Sequence, residues 1–150
     1  MRSLTRVRQS RIQRTVLIFG VWFTLGNYLA GTLTWPSTIA DPDAMHTAHV
    51  LGIIPVMVNG WHLYFHLLTG IVCLALSGTR PHAITAGLFV GGIYVLVGAA
   101  GFLSSANIFG LIMADSFANW VHLIEGALLL AAGASGELST RRGGATSAQS

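Results

Sequence analysis

The sequence predicts an all-α fold: an integral membrane four-helix bundle, made of two helical hairpins related as a parallel internal repeat. Three observations predict it. The chain is 53% hydrophobic and only 9% charged, with a mean hydropathy of +0.66. Its apolar residues gather into four stretches, against the roughly 20 residues that a bilayer span needs. A His-x-x-x-Gly motif occurs in the second stretch and again in the fourth. A soluble domain carries about 25% charged residues, so a chain this poor in charge is expected to use lipid as its solvent.

The expected order along the chain is as follows. Residues 1–14 form a basic cytoplasmic segment with Arg2, Arg6, Arg8, Arg11 and Arg14. A transmembrane domain covers 15–135, with spans near 15–34, 61–77, 83–103 and 117–135. Residues 136–150, rich in Gly, Ser, Thr and Ala, are expected to be a disordered cytoplasmic tail. The first connection contains Pro36, Asp41, Pro42 and Asp43. The second, Gly78-Thr79-Arg80-Pro81-His82, reads as a tight turn with helix breakers. The third contains Asn107 and Asp115.

Arginine fixes the expected orientation. Beyond the N-terminal group only Arg80, Arg141 and Arg142 occur, and Lys is absent. With four spans these places share one side, so the positive-inside rule puts both termini in the cytoplasm of a cell-membrane protein. A basic start before an apolar run also describes a cleavable signal peptide. The run is long for that purpose and Ile39-Ala40 is a weak cleavage site, so retention is expected.

The net charge of +3 raises nucleic acid or anionic lipid as partners. No basic face with interleaved aromatics is present, which argues against nucleic acid. An arginine-rich tail beside a span fits anionic headgroups instead. The lone Cys73 cannot form an internal disulfide and reads as a small core residue.

The two halves align. His66-Leu67-Leu68-Thr69-Gly70 matches His122-Leu123-Ile124-Glu125-Gly126, and Asn59 then matches Asp115. A rival register pairs Asn59 and His62 with Asn119 and His122 but matches fewer positions. Parallel repeats are related by an axis along the membrane normal, which would set His66 and His122 at similar depth. Gly87 and Gly91 on the third span, followed by Gly92, Gly98 and Gly101, would let backbones pack closely.

These motifs resemble a family of small four-span membrane proteins, common in actinobacteria, that carries a domain-of-unknown-function label. The resemblance covers about residues 15–135. The chain departs from it in lacking a Pro before Asp115-x-x-x-Asn119 and in its long first outer connection. The resemblance implies the four-span topology and no chemistry.

Ionisable groups inside a membrane are costly and usually face the bundle interior. His66 and His122 are therefore the candidate cofactor-binding residues, as axial ligands of a haem. His62 and Glu125 could complete a divalent-metal site, since His62 and His66 are i, i+4 and His122 and Glu125 are i, i+3. Alternatively the histidines only tie helices together. Glu125 could also serve a proton or ion pathway. In the first outer connection, Asp43 could cap a short helix bringing His46 and His49 together for a metal. The rival there is a polar interfacial loop whose apolar part, Val50 to Val58, dips into the membrane. Asn59 and Asn119 are candidate caps or interhelical donors. Asn27 and Tyr94 are expected to bond across helices.

No phosphate loop, nucleophilic triad or cysteine pair is found. The expectation is a non-enzymatic accessory or scaffold subunit, in a larger membrane complex or a homo-oligomer. The haem or metal protein and the ion pathway are the alternatives. A reporter fused after Ser150 is expected to be active only in the cytoplasm; activity outside the cell would overturn the orientation.

Overall fold

The computed structural model describes residues 10–31, 44–50, 53–104 and 107–147. Arg2, Arg6, Arg8, Trp35, Asp41 and Asp43 lie outside the described residues. Four helices make an all-α bundle. Helix α1 is Arg11–Val21 and runs directly into a π-helical segment, Trp22–Leu29. Helix α2 is Gly60–Leu76, α3 is Arg80–Leu103, and α4 is Ser116–Ser147. Of these, α3 and residues 116–139 of α4 are long and apolar enough to cross a membrane, while α2 is a shorter apolar helix.

Local chemistry explains the helix starts. Ser10 opens α1 with a capping box: its hydroxyl accepts from Gln13 N, and Gln13 Oε1 accepts from Ser10 N at 3.0 Å. Asn59 caps α2, its Oδ1 accepting from His62 N at 2.9 Å. Asp115 does the same for α4, its Oδ1 accepting from Ala118 N at 2.8 Å. Helix α3 begins at Arg80, three residues before the expected start at 83, because Pro81 sits in its first turn. There the missing N–H has no intrahelical partner to lose. Proline here opens a helix instead of breaking one.

The far end of α4 departs from expectation. A disordered tail was expected from 136, yet the helix runs to Ser147. The reason lies in its packing. Arg80 donates from Nη2 to the Gly136 carbonyl at 3.0 Å and also to the Ser139 hydroxyl. Gly136 itself lies against Ile84. These contacts hold the helix past the expected boundary.

The outer connections also differ. Instead of a short helix, His46–Val50 forms β1 and pairs antiparallel with β2, Ile54–Val58. Alternation of β-branched and apolar residues suits a half-buried strand, and Ala48, Val56 and Val58 face the core. A second hairpin joins β3, Asn107–Ile108, to β4, Ile112–Met113. A bridge between Val58 and Ala114 links the two hairpins. Together they form a small cap over one end of the bundle, with Leu63, Val97, Ile108 and Ala118 packed beneath. The β3–β4 turn needs positive φ at both central residues, Phe109 (55°) and Gly110 (72°).

Glycine sets the helix spacing. Any Cβ on Gly91 would meet Leu130 N at 2.7 Å and Gly126 O at 2.9 Å, so α3 and α4 cross backbone to backbone. Gly70 approaches Thr24 N, and Gly20 approaches Leu74 N, in the same way between the first helix and α2. Gly92, by contrast, faces open space. Replacing Gly91 with Ala is therefore expected to cost about 1–3 kcal/mol by overpacking. Gly92→Ala should leave the thermal midpoint of the purified protein unchanged or slightly raised. Equal midpoints for the two variants would contradict this crossing.

Candidate metal centre

The two His-x-x-x-Gly motifs share one local logic. The glycine brings its helix against a neighbour, and the histidine one turn earlier projects into the space between helices. His62 adds a third imidazole from the first turn of α2. All three rings are buried: His62 is 2% exposed, His66 6% and His122 1%. His62 Nε2 lies 3.1 Å from His66 Nε2 and 3.1 Å from His122 Nε2. All three potential ligand atoms fall within 4.8 Å of one another.

Partners behind the rings fix which nitrogen carries hydrogen. His62 Nδ1 lies 2.8 Å from the Met113 carbonyl, which can only accept, so Nδ1 holds the proton. A neutral His62 then presents its Nε2 lone pair inward. His66 Nδ1 lies 2.8 Å from the Tyr94 hydroxyl, which lies 2.9 Å from Thr69 Oγ1. Thr69 donates to the Phe65 carbonyl at 2.8 Å, so Tyr94 donates to Thr69 and accepts from His66. Asn27 Nδ2 lies 3.3 Å from the same Nδ1, and exchanging its amide nitrogen and oxygen would let the carboxamide accept from that N–H. His66 Nε2 is thus also a lone pair.

Two lone pairs at 3.1 Å repel unless a cation lies between them. A hydrogen from His122 satisfies one contact at most. The three imidazoles form a donor set able to hold one ion, and they are good ligands for zinc, copper, iron or nickel. A tetrahedral ion with bonds of 2.0–2.1 Å sets its ligand nitrogens about 3.3 Å apart. Two of the three pairs, at 3.1 Å, are close to that spacing, and the third lies within 4.8 Å. Nδ1–H bonds to a carbonyl and a hydroxyl are the outer partners that hold ligating histidines.

The structure regroups the residues singled out from sequence. One alternative from the sequence had His66 and His122 flank a haem. Their ring centroids are only 5.4 Å apart and His62 sits 4.9 Å from each, which leaves no slot for a macrocycle. Glu125 stands outside the cluster, and its Oε1 accepts from Trp22 Nε1 at 2.7 Å. Its Oε2, like His122 Nδ1, is buried with no hydrogen-bond partner among the described residues. His46 and His49 do not converge: three apart on a strand, they project to opposite faces. Both are exposed, and only His49 also lines the cavity beside the three imidazoles. Asn119 is buried against Gly101 and caps nothing. Gly70 and Gly126 are the crossing points described above.

Sequence reasoning expected Tyr94 and Asn27 to bond across helices, as they do, but did not tie them to the histidines, and Trp22 was unassigned. A tyrosine among glycines on an apolar helix was the available signal, since a buried phenol needs a partner. Trp22 and Asn27 reach the centre from the π-helical segment, a geometry frequent at functional sites.

The fold and site define a class: a small all-α bundle whose buried centre is three convergent imidazoles under a β-hairpin cap. The chain belongs to the family described as Domain of unknown function (DUF4383), which it matches over residues 13–135. No curated protein and no solved structure matches the chain.

Removing the indole partner tests the local packing. Trp22→Phe leaves Glu125 Oε1 without its donor and is expected to destabilise the protein by about 1–3 kcal/mol in a thermal unfolding assay. An unchanged midpoint would mean that the indole–carboxyl bond is not made.

Proposed function

We propose that the protein is a multi-pass cell-membrane protein that binds one transition-metal ion, zinc or copper, through His62, His66 and His122. The convergence of three Nε2 atoms, with two of the rings held from behind as donors, carries this reading.

The membrane part rests on an inside-out distribution. His62, His66, Thr69, Asn119, His122 and Glu125 are buried. Ile18, Leu25, Leu68, Phe89, Leu96 and Ile124 are more than half exposed. In water such a belt would aggregate; in lipid it is the solvated surface. The arginine distribution supports cytoplasmic termini. Arginines near the N-terminus fit anionic headgroups. In this reading the protein is a binder and not a catalyst, acting alone, as a homo-oligomer or within a larger membrane complex.

Protein purified in mild detergent from metal-replete cells is expected to hold close to one zinc or copper per chain by elemental analysis. His62→Ala should abolish this. Tyr94→Phe removes an outer partner and should weaken affinity about 10–100-fold. A metal-free preparation, with no uptake of added metal, overturns the reading and leaves the scaffold role expected from sequence.

A second reading is proton transfer. It is favoured by the buried Glu125 Oε2 without a partner, near the Thr69–Tyr94–His66–His62–His122 row of polar contacts. Proton flux into liposomes that Glu125→Gln abolishes would support it. Absence of flux in the unaltered protein removes it.

A further inference from the structure

Beside the three imidazoles lies a cavity of about 250 Å³. His62, His66 and His122 all line it. One wall is the π-helical segment and the residues after it, through Trp22, Gly26 and Ala30. The facing wall is the start of α4, through Ala118 and Val121. Ala48, Val56 and Val58 of the first hairpin roof it at the capped end. No Asp, Glu, Lys or Arg lines it among the described residues.

We propose that this cavity admits a neutral, membrane-dissolved molecule bearing one nitrogen or oxygen donor on an apolar ring, which takes the open coordination position of the bound metal. The inference rests on the three-histidine metal reading. Three observations carry it. Three protein ligands leave a tetrahedral ion one open position, and the cavity is the space that all three ligands share. Its lining, among the described residues, carries no Lys or Arg to receive a hydrated anion. The hairpin covers the aqueous end, while Gly26, Ala30 and Val121 are only partly buried at the side. The side entrance follows from the packing: the π-helical segment lies mainly on α2, whereas α1 touches α4 nearer the other end of the bundle.

The test uses the full chain in lipid nanodiscs, loaded with cobalt(II) as a coloured substitute. One probe is 1-phenylimidazole, neutral and lipid-soluble; the other is azide, a hydrated anion. Phenylimidazole is expected to shift the visible cobalt bands saturably, with azide silent at equal concentration. Val121→Phe and Ala30→Leu, each narrowing the entrance, should retain one cobalt per chain and weaken phenylimidazole at least tenfold. Retained cobalt with no phenylimidazole response overturns the cavity proposal alone. An equal azide response does so too, because it means access from water. Unchanged phenylimidazole affinity in both variants overturns the side entrance. Failure to bind cobalt overturns the metal reading and this inference together.

Discussion

The structure turns on one junction: His62 Nε2 facing His66 Nε2 and His122 Nε2 at 3.1 Å each. It joins α2 to α4 at the middle of an otherwise apolar interior. Around it the stacked Phe23 and Tyr94 rings, 4.4 Å apart, and Phe65 close the packing. Polar groups in such surroundings are costly unless they find partners. The second partners come from every side: a carbonyl of the cap, a phenol of α3, a carboxamide of the π-helical segment. Each element is thus positioned by what the rings require.

The cap shows how far this reaches. Asn59 holds α2's first turn, yet the same side chain also accepts from Met113 N at 3.2 Å and donates to the Leu111 carbonyl at 2.6 Å. Asp115 holds α4 and accepts from Met57 N at 2.9 Å. The helix starts are therefore stitched to the opposite hairpin. Met113 is placed by Asn59 and in turn orients His62. An N-cap, usually a local device worth about 1 kcal/mol, here also sets the tautomer of a buried ring.

Much of the fold was legible. Helix positions followed from apolar runs; of the two expected caps Asn59 does open α2, but α4 is opened by Asp115 and not by Asn119. Asn59 and Asp115 are each seven residues ahead of an inward histidine, His66 and His122, as the preferred alignment of the halves requires. What stayed hidden depends on long-range contacts. A π-helical turn has no distinct composition. The outer strands lie in short apolar segments where strand and interfacial loop look alike. Pro81 reads as a breaker unless its place in the first turn is known. At the site, i, i+4 spacing paired His62 with His66. Only the tertiary structure could tell that His122 joins them while Glu125 turns to Trp22.

The widened coil of Trp22–Leu29 has a consequence for how inserted or deleted residues would be tolerated. Its two inward anchors, the Trp22 indole and the Asn27 carboxamide, are five residues apart. In an ordinary α-helix five residues overshoot a full turn by about 140°, so one anchor would swing outward. With i→i+5 bonding the same five residues come nearly full circle, and both stay on the inner face. Loss of one residue from this stretch would restore normal pitch and keep only part of that alignment. The first helix is thus length-gauged against the rest of the bundle, with little slack for a change in residue count.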